Sequence, residues 1–131
     1  MIAWVATAEG AFEVDLEREV VVGNVDVDVQ RERPALGIPR LVAAAAAGVT
    51  VVALVERRPP LLISHDSGES WREAGSGLPP GFDVAVDPDD PDRILYAARN
   101  RLFLSTDGGR FWEALVAELP DIEAVTWSTA R

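Results

Sequence analysis

The chain has no cysteine, which removes disulfides, thiolate nucleophiles and thiolate zinc sites and leaves its redox compartment open. It has no lysine either: the 12 basic residues are all arginine, set against 22 acidic residues for a formal net charge of -10. A polyanion approaching that field is repelled, so DNA and RNA are not expected partners. Long apolar runs are scarce. The one candidate, LVAAAAAGVTVVALV from Leu41 to Val55, is shorter than the ~18 to 20 residues of a spanning helix, and its Gly-Val-Thr-Val-Val stretch suits a helix poorly. Two buried strands meeting at Gly48 fit it, with a short buried helix over Ala43 to Ala47 as the rival. No membrane association is expected. The amino terminus, MIAWVATAEGAFEVD, lacks the positive region and long apolar run of a leader peptide, so the expected location is cytoplasmic.

What is present is enough for one folded domain. The 131 residues are 48% hydrophobic, which supports a core of its own. Self-similarity then organises the chain. The octet SHDSGESW (Ser64 to Trp71) returns as STDGGRFW (Ser105 to Trp112), with Asp66 and Asp107 separated by 107 − 66 = 41 positions, as are Trp71 and Trp112. Leu78-Pro79 and Leu119-Pro120, and Val84 and Val125, keep that offset. Before each octet lie an apolar strand, a polar tip bearing arginine, and a second apolar strand. A period of about 40 to 45 residues built from short strands is the requirement of a propeller blade.

The octets resemble the Asp-box, or BNR, repeat of sialidases, sortilin-type receptors and many bacterial propellers, Ser/Thr-x-Asp-x-Gly-x-Thr/Ser-Trp. The first matches at Ser64, Asp66, Gly68, Ser70 and Trp71, the second at Ser105, Asp107, Gly109 and Trp112, with Phe111 where the hydroxyl residue belongs. VAVDPDDPDRILYAA, Val84 to Ala98, is similar to the Asp-Pro turn and following strand of the same propellers. The resemblance covers roughly residues 35 to 131 and implies an all-β fold of four-stranded antiparallel blades. It also places each box on an outer hairpin, away from the axial pocket. The box itself makes sense as a turn: its carboxylate can accept from following backbone N–H groups, its glycine can take positive φ, and its tryptophan can cover the corner. Asp66 and Asp107 are therefore structural rather than catalytic.

Counting blades gives about three: a degenerate one over residues 1–34, then 35–80 and 81–120, with 121–131 as a further inner strand. In the first, Asp15 stands where a box aspartate would, but Glu17 and Val20 replace the glycine and tryptophan. VVVGNVDVDVQ alternates as an outer strand should, with Val25, Val27 and Val29 on one face and Asp26, Asp28 and Gln30 on the other, outer face. Ile122 to Ser128 reads as an inner strand without a blade, and Ile2 to Ala8 as a second strand without its inner partner. Three blades are too few for a ring, so either a partner chain completes it or the chain is an open fragment. The expectation is a homodimer in which each C-terminal strand fills the other chain's first blade and a second chain completes the ring.

Candidate site residues are few. His65, the only histidine, sits at a variable box position and reads as a turn residue; no Ser-His-Asp set or histidine metal cluster can be built from it. DPDDPD, Asp87 to Asp92, has prolines at calcium-ligand positions and lacks the EF-hand glycine, so it reads as a solvated turn. Arg57, Arg58, Arg99 and Arg101 stand at strand tips on the face opposite the boxes, Arg58 and Arg99 at equivalent positions since 99 − 58 = 41. They form a candidate rim for an anionic small molecule, glycan or protein. No catalytic, cofactor-binding or metal-binding residues are expected. The function expected is a non-enzymatic, self-assembling binding or scaffold propeller. The alternative is a sialidase-like or other glycoside hydrolase, which needs positioned carboxylates and, in sialidases, an arginine cluster with a tyrosine nucleophile. Tyr96 is the only tyrosine, and Asp83 and Asp26 are the carboxylates available to that reading.

Overall fold

The computed structural model describes residues 1–29 and 33–128. Twelve strands form three four-stranded antiparallel sheets. The first contains β1 (Ile2–Thr7), β2 (Gly10–Asp15) and β3 (Val20–Asn24), completed on the inner side by β12 (Ile122–Trp127). The second runs in order through β4 (Leu41–Ala47), β5 (Thr50–Val55), β6 (Leu61–Ser64) and β7 (Arg72–Ala74). The third does the same through β8 (Asp83–Val86), β9 (Ile94–Ala97), β10 (Arg101–Ser105) and β11 (Glu113–Glu118). No helix occurs among the described residues. The apolar run Leu41 to Val55 is a hairpin. Ala47 pairs with Thr50 across Gly48-Val49, and Gly48 takes the left-handed conformation (φ 58) that such a two-residue turn requires.

Side-chain alternation along the strands decides how the sheets stack. On the third sheet Ala85, Leu95, Ala97 and Leu102 face one neighbour, where they join Ala3, Val5, Val14, Leu115, Val125 and Trp127 in one core. Val84, Val86, Ile94, Tyr96 and Ala98 face the other, against Ala43, Ala45, Val52, Leu54, Leu61 and Ile63. The third sheet is thus apolar on both faces and lies between the other two. Inner strand β8 packs against both β4 and β12, and the three sheets form an open arc.

That order corrects the expected strand exchange. Ile122–Trp127 does pair with Ile2–Thr7, in the register Ala3↔Trp127, Val5↔Val125, Thr7↔Ile122, but within one chain. Flanking bonds from Ala8 N–H to the Asp121 carbonyl and from Ser128 N–H to the Ile2 carbonyl, both 2.9 Å, extend the pairing. The expectation assumed that three blades could not bring the two ends of one chain together, as if the first blade preceded the second around the arc. It instead follows the third, because the connection from Val25 to Arg40, about 16 residues with a reach of up to roughly 50 Å, is long enough to return from β3 to β4. Neither β1 nor β12 is then left with the deficit that called for a second chain.

A smaller correction concerns the outer strand, which ends at Asn24 rather than continuing through Val29. Val25 N–H still bonds to the Ala11 carbonyl at 3.0 Å, but β2 begins at Gly10, so the residues that follow have no ladder partner. Their alternation survives, with Asp26 and Asp28 exposed and Val29 buried. Gln30 of the expected outer face lies outside the described residues.

Candidate functional site

The two octets fold into the same turn. At the end of β6, Ser64 Oγ donates to Asp66 Oδ1 (2.7 Å) and accepts from Gly68 N–H (2.7 Å). At the end of β10, Ser105 Oγ does the same with Asp107 (2.8 Å) and Gly109 (2.9 Å). Each aspartate then accepts from the amides that follow. Asp66 takes Ser70 N–H at 2.8 Å and the Ser70 hydroxyl; Asp107 takes Arg110 and Phe111 N–H at 3.1 and 3.0 Å. The tryptophans close the turns, Trp71 Nε1 donating to the Gly68 carbonyl and Trp112 Nε1 to the Gly109 carbonyl, both 3.0 Å. Gly68 and Gly109 have φ of 91 and 92, which a side chain would strain.

These bonds favour the ionised carboxylates. The Ser70 hydroxyl, its backbone N–H and then Ser64 hold Asp66 down at about 2, and Asp107 is also lowered, chiefly by Phe111 N–H. A carboxylate held ionised by its own turn is a poor general acid. Asp15 performs a shorter version of the same job, accepting from Glu17 and Arg18 N–H at 3.1 Å each.

The other candidate residues separate into two groups. Asp83, at the start of β8 and 1% exposed, accepts a two-pronged bond from Arg33 (2.8 and 3.2 Å) and a backbone bond from Val125 (2.9 Å). It ties the third sheet to β12 and to the connection before β4. Tyr96 is fully buried, its hydroxyl donating to the Pro79 carbonyl, and burial pushes its phenol up to about 12. Its ring meets Phe103 and Trp112 edge-on at 6.1 and 6.0 Å. Asp83 pairs with Ala97 and Tyr96 with Val84, so the two side chains belong to opposite faces of the third sheet, and Asp26 is exposed beyond the end of β3; these three are not gathered into one site. His65 lies 3.4 Å from Thr50 Oγ1 and 3.3 Å from an Arg72 nitrogen, and Arg72 also donates to the Gly108 carbonyl. In the Asp87–Asp92 turn, Asp87 and Asp90 each accept from the amide two residues on, at 2.9 and 3.2 Å. Arg93 reaches both carboxylates, at 3.7 and 3.4 Å. No group of metal-ligating side chains occurs among the described residues.

The four arginines lie at the β5–β6 and β9–β10 tips, and in an antiparallel sheet successive turns alternate ends, so they stand opposite the octets. Three of them meet carboxylates: Arg57 with Glu73 at 3.9 Å, Arg99 with Asp121 at 3.2 Å and Arg101 with Glu118 at 3.0 Å. Arg58 instead lines clefts. One, of about 420 Å³, includes Arg57, Arg58, Leu78, Pro79, Pro80 and Phe82. Another, of about 440 Å³, includes Pro79, Pro80, Phe82, Arg99, Arg101 and Phe103. The two share Pro79, Pro80 and the half-exposed Phe82, so arginines from two sheets flank one apolar ridge. Sequence reasoning named the arginines and missed the ridge. Its signal was present in LPPGF, an apolar turn segment between two strands.

No protein-family profile and no curated protein matches the chain. Among solved structures it is similar to YCF48 bound to the D1 peptide, with 18% identity and a TM-score of 0.53 over 92% of this chain and 38% of that one. It is also similar to the GH74 enzyme of Niastella koreensis, with 21% identity and a TM-score of 0.52 over 90% of this chain and 18% of the other. The chain folds as β-propeller blades. It spans less than half the length of either neighbour, and at such identities the likeness is one of fold.

Proposed function

We propose that this chain is a non-enzymatic Asp-box propeller segment that binds an acidic, partly apolar protein segment at its arginine-bearing end. The carrying observation is the pair of clefts that share Pro79, Pro80 and Phe82 between Arg58 on one blade and Arg99 and Arg101 on the next. An apolar ridge flanked by guanidinium groups suits a peptide whose carboxylates bracket a hydrophobic side chain. The YCF48 structure, described as bound to a peptide, supports a protein-binding use of such blades. The internal bonding of the octets supports an Asp-box role for Ser64, Asp66, Gly68, Ser70 and Trp71 and for Ser105, Asp107, Gly109 and Trp112. The glycosidase reading is not favoured, because Asp83 is committed to Arg33 and Val125 while the Tyr96 hydroxyl is committed to Pro79.

The test is a titration with a fluorescent peptide of alternating glutamate and leucine, alongside its lysine-leucine counterpart. Binding of the glutamate peptide alone, weakened by salt and by Arg58→Ala with Arg99→Ala, is expected. Equal binding of both peptides, or indifference to the arginine changes, overturns the proposal.

A further inference from the structure

The three sheets present three outer edge strands, and they are not alike. In β7, Arg72 and Glu73 put charge into a three-residue strand. In β11, Glu113 and Glu118 stand at the ends, and Val116 N–H already donates to the Glu19 carboxylate at 2.9 Å. By contrast β3, VVVGN, contains no charged residue and lies at the end of its sheet. Among the described residues, nothing pairs with its outer row of backbone groups. Val20, Val21 and Val22 are 47%, 36% and 58% exposed. The register with β2 shifts so that Val22 is bulged out of the regular alternation, and β3 approaches β11 of the neighbouring sheet, yet its three valines keep these exposures. Natural edges are usually blunted by charge, proline, a bulge or a covering element; this one has neither charge nor proline within the strand, and the bulge at Val22 is its one such device.

The surroundings decide what fits it. Asp15, Glu17 and Glu19 precede the strand and Asp26 and Asp28 follow it, against Arg18 alone. Arg18 is already directed toward Asp15, and Glu17 meets the amino group of Met1. A second copy in antiparallel register would set these acidic flanks against each other, within a molecule of net charge -10. We propose that β3 is a docking edge for an extended, β-branched segment of a partner protein with basic residues at both ends. The partner adds as a further strand of the first blade. Its backbone satisfies the open row of β3, and its terminal cations meet the acidic flanks. This surface belongs to the perimeter and is independent of the arginine-bearing end.

The test uses the full chain and a fluorescein-labelled synthetic peptide, Lys-Val-Thr-Val-Thr-Val-Lys, read by anisotropy. Controls are the same peptide with glutamate ends and one with a central proline. Expected are saturable binding of the lysine peptide that weakens severalfold as salt is raised, no binding of either control, loss of binding in Val22→Lys, and retention in Val22→Thr. Amide exchange on the unmodified protein supplies a readout that needs no variant: the probe protects residues 20–24 and leaves 72–74 unchanged. Equal binding of the glutamate-ended peptide, absence of binding, or protection elsewhere overturns the proposal. So does concentration-dependent self-association that Val22→Lys abolishes, because the occupant is then a second copy.

Discussion

Arg33 holds Asp83 with both terminal nitrogens, at 2.8 and 3.2 Å, across 50 residues of sequence. Asp83 is 1% exposed while the arginine side chain is 43% exposed, so removing one partner is not equivalent to removing the other. Arg33→Ala takes a two-pronged counter-charge away from a buried carboxylate, and a loss of about 3 kcal/mol is expected. Asp83→Ala frees an arginine that can turn to water and removes an acceptor of the buried Val125 N–H, for about 1–3 kcal/mol. Urea denaturation should show the arginine change to be at least as costly, and the double change to cost clearly less than the sum. Additive losses would mean that the two side chains do not act as a pair.

This clamp also shows where sequence reasoning ran out. The octets were readable because their bonds close within eight residues, so a serine, an aspartate, a glycine and a tryptophan at fixed offsets define the whole turn. The strands on either side of the Asp-Pro turn, within Val84 to Ala98, were readable because both faces are buried and the apolar runs are unbroken. The arc order was not, since it depends on how far the Val25–Arg40 connection travels, and no local pattern encodes that distance. The end of β3 was misplaced for a related reason: alternation persists through Val29, while the ladder stops where β2 begins. Asp83 was noticed as a carboxylate, yet its role rests on Arg33 and Val125, neither close to it in the chain.

The octet carboxylates make stability depend on acid. Asp66 and Asp107 are lowered in the folded chain relative to the ordinary carboxylate value near 4, so their contribution is fully present above that value. It is lost as pH falls toward about 2, the folded value of Asp66. Melting temperature should therefore fall steeply between pH 4 and pH 2, and Asp66→Asn should flatten part of that slope while lowering the plateau at neutral pH. An unchanged slope in the variant would remove Asp66 from the account.

Tyr96 offers a spectroscopic reading of the ridge. It is the only tyrosine, and burial raises its phenol from 10.0 to about 12. Absorbance should show no phenolate through pH 10.5 in the folded chain, and immediate ionisation there once urea unfolds it. The raised value also means that the stability it contributes is intact below pH 10 and declines as pH rises toward about 12. Tyr96→Phe removes the bond to the Pro79 carbonyl for about 1 kcal/mol, and faster amide exchange over Leu78–Phe82 is expected. Normal tyrosine titration in the native chain would contradict the burial of Tyr96 and its bond to the Pro79 carbonyl.

The second octet can be improved. Ser70 supplies its Asp66 with a hydroxyl as well as an amide, whereas Phe111, at the matching place, supplies only an amide to Asp107 and exposes 79% of its surface. The backbone there is already set by Gly109 and the Trp112 closure, so a hydroxyl at position 111 need not order anything new. Phe111→Ser should let that hydroxyl reach the free side of the Asp107 carboxylate, stabilising the chain by about 0.5 kcal/mol and lowering the Asp107 titration further. The gain must depend on its acceptor: in an Asp107→Ala background the same change should give nothing. Thermal melts of the four chains of this cycle decide the matter. A gain that persists without Asp107 would trace to the loss of an exposed phenyl ring instead of completion of the turn.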